Sequence, residues 1–241
     1  MDYETFVDLA SGDGKNTKQT RQMLVERFRE ISESLECLHC PADPLHMADD
    51  ALRNQHLTGP ICEFGCFRGG MTSKLSWVAS VLDRRLIVFD TFCGLMEGAR
   101  YETYDSVPAE LGDFKKGQFS CPIDEVKQNV GKLGVLGVCE FVAGPIEKTL
   151  PLLELRPSLV FIDVDVVGTA MEIVRHTWQA IENKRLFTHE ACIKGYMENI
   201  CNEVWWWLHF QSKPRPRLGS EEMGRTFGLP GSNCLDYFVK P

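Results

Sequence analysis

The sequence has no apolar run long enough to cross a bilayer. Apolar stretches such as 159–162 and 204–208 are short, whereas a transmembrane helix needs about 20 consecutive apolar residues. The first residues, Met1-Asp2-Tyr3-Glu4, are acidic, whereas a secretory signal peptide is basic and then apolar. We therefore predict a soluble, cytoplasmic protein without membrane contact.

A basic surface is also missing. The chain has 26 Lys and Arg against 34 Asp and Glu, a net charge of −8, and no run of basic residues. Proteins that track a phosphate backbone concentrate positive charge. This composition therefore disfavours a nucleic-acid partner.

The ten cysteines do not form a recognisable framework. Disulfides are rare in the cytosol, and a thiol within an apolar strand behaves as a small hydrophobic group. Cys37-Leu38-His39-Cys40, with His46 nearby, suggests zinc, but no second pair completes four ligands. The alternative is a helix end followed by a loop.

Strand and helix patterns alternate from residue 61 onward. Strands are predicted at 61–64, 85–89, 139–142, 159–164 and 185–188, with helices at 70–82, 123–133 and 169–182. Such alternation predicts an α/β fold with a parallel, doubly wound sheet. We expect residues 1–58 to form an N-terminal helical extension with helices at 16–36 and 46–55. A helix at 196–210 and an edge strand at 235–239 would complete the fold.

A glycine-rich turn links the first strand to its helix. In Ile61-Cys62-Glu63-Phe64-Gly65-Cys66-Phe67-Arg68-Gly69-Gly70, the glycines let a ligand approach the backbone, and the helix N-terminus offers free N–H groups. The spacing differs from the dinucleotide pattern GxGxxG, which disfavours a nicotinamide-dependent oxidoreductase. We predict a nucleotide-type cofactor, with Glu63 suited to a cationic group of it.

Further acidic groups follow the later strands. Asp90 ends the second strand, where such folds bind ribose hydroxyls. Asp163, Asp165, His189 and Glu190 follow two other strands and should meet at the same edge of the sheet. They could bind a divalent cation or supply a general base.

A long segment without clear periodicity lies near 93–120. Loops of this length are often lids, and we predict one here. We also expect Lys15 to Lys18, Arg100, Tyr101 and Tyr104 to close over the substrate.

Four motifs resemble the macrocin O-methyltransferase (TylF-type) family. They are GPICEFGCFRGGMTSKL, RRLIVFDTFCGL, GPIEKTLP and LVFIDVDVVGTAMEIVRHTW, in that order. The resemblance implies a class I methyltransferase fold over 59–241 with an antiparallel C-terminal edge strand. It also implies S-adenosylmethionine as cofactor and O-methylation of a sugar hydroxyl in secondary-metabolite biosynthesis, with Mg²⁺ held by aspartates.

The resemblance also assigns individual residues. Those expected around the methionine part are Glu63, Gly65, Phe67, Arg68 and Gly69. Those expected around the ribose and adenine are Asp90, Thr91, Phe92, Gly144, Pro145 and Ile146, and Asp163 also belongs to the cofactor site. The metal positions are Asp163, Asp165, His189 and Glu190.

The chain departs from the family at the last two metal positions. The family usually has Val-Asp-Asp-Tyr where this chain has Thr188-His189-Glu190-Ala191. Because imidazole is softer than the oxygen ligands that Mg²⁺ prefers, two hypotheses remain open. Either the metal site has altered selectivity, or the site is metal-free and His189 is the catalytic base beside Asp163.

The same departure from the family leaves the methyl acceptor open. A sugar hydroxyl needs a base or a metal to lose its proton, whereas an amine needs only to be unprotonated. N-methylation of an amino sugar or another amine is therefore an alternative to O-methylation of a glycosylated natural product. A non-catalytic, cofactor-binding protein is a third possibility.

Three consecutive tryptophans, Trp205-Trp206-Trp207, lie in the predicted C-terminal helix. Because neighbouring residues of a helix point in different directions, this run favours core packing or a homodimer.

Overall fold

A six-stranded sheet forms the centre of the computed structural model, which describes residues 1–96, 115–182, 185–190, 194–211 and 235–239. The strands are β1 (Ile61–Phe64), β2 (Leu86–Asp90), β3 (Cys139–Ala143), β4 (Leu159–Ile162), β5 (Arg185–Thr188) and β6 (Asp236–Val239). Their order is β3-β2-β1-β4-β5-β6. Strands β1 to β5 are parallel, and β6 is antiparallel to β5. The predicted fold class is confirmed.

The two central strands are buried along their whole length. Ile61 pairs with Leu86 of β2 on one side and with Leu159 of β4 on the other. Every residue of β1 and β4 is buried, as expected for parallel strands covered on both faces. The chain order reverses between β2 and β4, on either side of β1. In open α/β sheets, ligands bind at this switch point, outside the carboxyl ends of the strands.

Helices cover both faces of the sheet. They are α1 (Tyr3–Asp8), α2 (Lys18–Ser34), α3 (Ala42–Arg53), α4 (Gly70–Val81), α5 (Ile123–Leu133), α6 (Ile146–Thr149), α7 (Val167–Thr177), α8 (Lys194–Ile200) and α9 (Glu203–Phe210). Helices α1 to α5 share one hydrophobic cluster with the sheet, and α6 to α9 share the other. In the part of the chain that the structure describes, no helix combines the length and apolar character needed to cross a membrane.

The N-terminal extension packs into the first of these clusters. Phe6, Leu24 and Leu45 belong to the same buried cluster as Leu75 of α4. The fully buried Arg21 holds the extension together, because its guanidinium donates to the side chains of Asn16 and Asp49 and to the carbonyl of Phe6. The division of the chain at residue 58 stays a prediction.

The prediction that Lys15 to Lys18 close over the substrate is wrong for Lys15. Its ammonium lies 2.9 Å from Asp83, which follows the C-terminus of α4. Because α4 runs back from the carboxyl edge of the sheet, Lys15 lies near the opposite edge. Most of the predicted lid, including Arg100, Tyr101 and Tyr104, lies outside the described residues.

Several helix bounds differ from the prediction: α7 ends at Thr177 rather than at residue 182, and α1 and α6 were not predicted. Two of the differences have a clear local cause. Helix α3 begins at Ala42 rather than near residue 46, because Pro44 is tolerated within a first helical turn. The single helix expected at 196–210 is two helices, since the Asn202 side chain accepts from the N–H of Trp205 and starts α9. Trp206 is fully buried and Trp207 is 61% exposed, as expected for neighbours on a helix.

Candidate cofactor and catalytic site

The carboxyl ends of β1, β2, β4 and β5 meet at one edge of the sheet. Backbone hydrogen bonds extend the ladder one residue beyond the strands: Gly65 donates to Phe89, Asp163 to Phe64 and His189 to Ile162, at 2.8–2.9 Å. This continuation fixes three predicted site residues next to one another. The predicted convergence of the strand ends is therefore present.

A cavity of about 590 Å³ opens at this edge, a size typical of small-molecule sites. The predicted site residues that line it are Gly65, Phe67, Asp90, Thr91, Pro145, Ile146, Asp163, Asp165, His189 and Glu190. The predicted residues that do not line it are Glu63, Arg68, Gly69, Phe92 and Gly144.

The glycine turn has little room for side chains. Gly65 has φ +88°, and a Cβ there would lie 2.0 Å from the carbonyl oxygen of Asp163. Gly69, with φ +85°, precedes α4 as its N-cap. These two positions need glycine because L side chains rarely adopt that conformation. The turn therefore brings bare backbone to the cavity wall.

Asp90 organises the turn as well as lining the cavity. One carboxylate oxygen accepts from the N–H of Cys66 and the other from the N–H of Phe92, both at 2.8 Å. A carboxylate has about four acceptor positions, so two remain for a ligand. Asp90 can thus hold the turn and still meet ribose hydroxyls.

Glu63 lies fully buried below the turn. Neither carboxyl oxygen has a hydrogen-bond partner among the described residues. Burial raises the pKa of Glu63 to about 8, although the nearby Thr72 hydroxyl opposes the rise. An unpartnered buried acceptor is costly, and a cationic ligand group would compensate it.

A cluster of two histidines and one aspartate lies next to the glycine turn, where the backbone carbonyl of Asp163 approaches Gly65. His39 Nε2 is 2.9 Å from Asp163 Oδ2, and His189 Nδ1 is 3.2 Å from Asp163 Oδ1. The two imidazoles meet edge to face, with ring centroids 4.5 Å apart. Among the described residues, these three form the group whose donor atoms lie close enough together to hold one metal ion.

The sequence offered no signal for His39 as a member of this site. It belongs to the loop between α2 and α3, and 124 positions separate it from Asp163. The zinc hypothesis rested on the run Cys37-Leu38-His39-Cys40 in the same loop, with His46 nearby, and did not connect His39 with Asp163. Of the candidate zinc ligands, Cys40 hydrogen-bonds Asp43 instead. The loop therefore contributes its histidine, rather than its cysteines, to the site.

Strong electrostatic coupling links the three side chains. Burial opposes charge on His39, but the Asp163 carboxylate outweighs this and raises the pKa of His39 to about 9. The same competition raises the pKa of His189 well above its usual value. Burial would raise the pKa of Asp163, yet the two imidazoliums hold it well below the usual range. All three pKa shifts therefore have one main cause, the attraction between the Asp163 carboxylate and the two imidazoles.

Each imidazole has a partner on its other nitrogen. His39 Nδ1 lies 3.5 Å from Cys37 Sγ, and the Lys74 ammonium lies 3.5 Å from the same sulfur. His189 Nε2 lies 3.7 Å from Asp43 Oδ2. Burial would raise the pKa of Cys37, but His39 and Lys74 lower it to about 7. These neighbours fix the orientation of both rings.

Two further acidic residues lie beside the cluster. Glu190 Oε1 is 3.3 Å from His189 Nδ1. Burial, with the charges of Glu190 and Asp163, raises the pKa of Asp165 to about 8. All four predicted metal positions therefore line one part of the cavity, and His39 adds a fifth group to them.

The fold and this site define a cofactor-binding enzyme of the doubly wound α/β class, and comparisons with known proteins make the class more specific. The family described as Macrocin-O-methyltransferase (TylF) matches residues 42–184, more than half of the chain. The protein therefore belongs to the macrocin O-methyltransferase family and is a methyltransferase. This confirms the resemblance. A search of curated protein sequences found no match.

Solved methyltransferase structures share the fold at low sequence identity. The O-methyltransferase NovP is 13% identical with a TM-score of 0.61, covering 99% of both chains. The calicheamicin methyltransferase CalS11 is 15% identical with a TM-score of 0.57, covering 91% of this chain and 92% of its own. TomG from Streptomyces achromogenes, in complex with SAM, is 14% identical with a TM-score of 0.53 and coverage of 91% and 89%.

Proposed function

We propose that the protein transfers a methyl group from S-adenosylmethionine to a hydroxyl of a small-molecule natural product, with a sugar hydroxyl as the favoured acceptor. The observation that carries this proposal is one cavity whose wall includes Gly65 of the glycine turn, Asp90, Asp163 and His189. Membership in the O-methyltransferase family supports the reaction class.

The turn side of the cavity fits S-adenosylmethionine. Gly65 lets the ligand approach the backbone, and Asp90 keeps acceptor positions for ribose hydroxyls. The cofactor supplies an activated methyl group, and TomG, which shares the fold, was solved with SAM.

Other residues of the cavity wall suit the acceptor. Leu38 and Met96 are exposed apolar side chains at its wall, 57% and 47% accessible, and they can cover the apolar parts of a glycosylated molecule. Asp163 and His189 are polar and can orient a hydroxyl. Alignment of donor and acceptor supplies about 7–11 kcal/mol in favourable cases, so orientation is the main contribution of these residues.

Removal of the acceptor proton is assigned to the group around Asp163 and His189. His189 can accept a proton only when it is neutral, and its pKa is raised by Asp163. The Mg²⁺ that the family resemblance implies prefers six oxygen ligands. Both oxygens of Asp163 already contact imidazoles, so these residues do not fit Mg²⁺, and no step is assigned to that ion.

The first experiment is a calorimetric titration with S-adenosylhomocysteine. We expect the wild-type protein to bind it in EDTA. Asp90→Ala should weaken binding at least roughly tenfold, because it removes one charge-assisted hydrogen bond to Cys66 of the turn and one to Phe92, each worth about 1.5–3 kcal/mol. Asp83→Ala, a carboxylate change near the opposite edge of the sheet, is the matched control and should bind like wild type.

The outcomes separate the alternatives. Failure of the folded wild-type protein to bind S-adenosylhomocysteine would refute the proposed function. If binding occurs, incubation with labelled S-adenosylmethionine and panels of sugar alcohols and amino sugars tests the acceptor. Label transfer to amines alone would replace O-methylation with N-methylation.

A further inference from the structure

The two histidines and the aspartate at the cavity wall form a nitrogen-rich ligand set. We propose that His39, Asp163 and His189 bind a divalent first-row transition-metal ion of the Zn²⁺ type. The role of this ion in the reaction rests on the proposed function, whereas its binding does not. The site includes His39, a residue of the N-terminal extension, and it differs in this from the four positions that the sequence predicted.

The spacing of the donor atoms matches such an ion. Ligands about 2.0–2.2 Å from Zn²⁺ lie roughly 3.0–3.5 Å apart at octahedral or tetrahedral angles. His39 Nε2 lies 2.9 Å from Asp163 Oδ2, and His189 Nδ1 lies 3.2 Å from the other oxygen, Oδ1. One donor atom from each of the three residues lies within 4.8 Å of the others. Small side-chain adjustments can therefore bring one nitrogen of each ring and one carboxylate oxygen around a single ion.

The surroundings of both rings favour metal binding. In metal sites, the nitrogen of a histidine that does not bind the ion is held by another polar group. His39 would bind through Nε2 while Nδ1 contacts Cys37, and His189 would bind through Nδ1 while Nε2 faces Asp43. Each ring thus already presents one nitrogen to Asp163 and the other to a neighbouring residue.

The site is buried but open on one side. The side chains of His39 and His189 are 9% and 12% exposed, and that of Asp163 is 22% exposed. Asp163 and His189 line the cavity, so three protein ligands would leave a position toward the acceptor. A catalytic metal site keeps such an open position, whereas a structural site is closed.

The donor set selects the kind of metal. Imidazole suits Zn²⁺, Fe²⁺ and Ni²⁺, and oxygen ligands suit Mg²⁺. Two imidazoles and one carboxylate therefore favour a transition metal. Positive charge at this wall would stabilise the negative charge that develops on an acceptor hydroxyl, and would give the site a role in deprotonation.

The test measures metal binding directly on the full chain, which is first stripped of metal with EDTA and then freed of EDTA. Zn²⁺ and Mg²⁺ are titrated separately by calorimetry, and Co²⁺ binding is followed by its visible absorption. We expect one Zn²⁺ per chain, bound at least roughly tenfold more weakly by His39→Gln, since even indirect changes at metal sites cost 10–100-fold. His176→Gln is the control, because its ring bonds within α7 to the Glu172 carbonyl.

A second variant covers the case in which His39→Gln is misfolded. His39→Cys places a thiolate at the same position, so its Co²⁺ complex should gain a near-ultraviolet sulfur-to-metal band that wild type lacks. Equal Zn²⁺ affinity of wild type and a folded His39→Gln, equal affinity for Mg²⁺ and Zn²⁺, or absence of the new band would each overturn the proposal. Zn²⁺ binding without S-adenosylhomocysteine binding would leave this site standing and refute the proposed function. S-adenosylhomocysteine binding without Zn²⁺ binding would refute the metal site and leave the proposed function standing.

Discussion

The buried carboxyl of Glu63 makes the stability of the protein depend on pH. Its pKa rises from 4.5 to about 8 in the folded state because burial penalises the charged form. Folding therefore favours the protonated carboxyl. The stabilisation from this protonation is complete below pH 4.5 and is lost as the pH rises through about 8.

The size of the effect follows from this pKa change. At about 1.36 kcal/mol per pKa unit, the linkage relation gives a loss on the order of 4 kcal/mol between about pH 5 and 9. Glu63→Gln removes the titrating group while keeping its shape. We expect the variant to resemble wild type at low pH and to become more stable than wild type by several kcal/mol at high pH.

Urea unfolding of the ligand-free protein, followed by tryptophan fluorescence, measures this difference at several pH values. Glu140→Gln is the matched control, because Glu140 is an exposed strand residue paired with Arg85, and exposed pairs contribute little. All three proteins keep the same histidines, so the comparison reports mainly on residue 63. A difference between wild type and Glu63→Gln that stays constant with pH would refute the reasoning.

Two further predictions concern backbone space and core packing. Gly65→Ala should abolish S-adenosylhomocysteine binding and lower the melting temperature, because the added Cβ would lie 2.0 Å from a backbone oxygen. Gly137→Ala is the control, because a Cβ there meets open space. Equal behaviour of the two variants in calorimetry and thermal unfolding would contradict this prediction. Trp206→Ala should lower the unfolding free energy by about 3–5 kcal/mol, because Trp206 is fully buried. The neighbouring Trp207 is 61% exposed, so Trp207→Ala should lower it by less than about 0.5 kcal/mol. Equal losses in urea unfolding would show that α9 does not pack as described.

The fold was predictable because its signals are local. Short apolar strands separated by amphipathic helices specify a parallel sheet, and Gly65 marks a turn within ten residues of sequence. The break between α8 and α9 was not predicted. It depends on Asn202, whose side chain starts a new helix inside an otherwise continuous apolar pattern.

The candidate site was predictable only where strand ends determine it. Asp163 and His189 follow adjacent parallel strands, so the topology alone places them together. His39 follows α2 in a loop without periodicity, and its approach to Asp163 depends on how the extension packs against α4. No local rule encodes a contact of that kind, which arises from tertiary packing.

The N-terminal extension is therefore part of the site rather than a separate cover. Its loop brings Leu38 to the cavity wall, and His39 to Asp163. Without that loop, Asp163 would keep one imidazole partner and lose the other, at a position where an uncompensated charge is costly. The family resemblance implies aspartates where this chain has His189 and Glu190 at the end of β5. His39 from the extension adds a second imidazole beside the same carboxylate. In our proposal, these two imidazoles give the site its nitrogen ligands, with Asp163 between them at the end of β4.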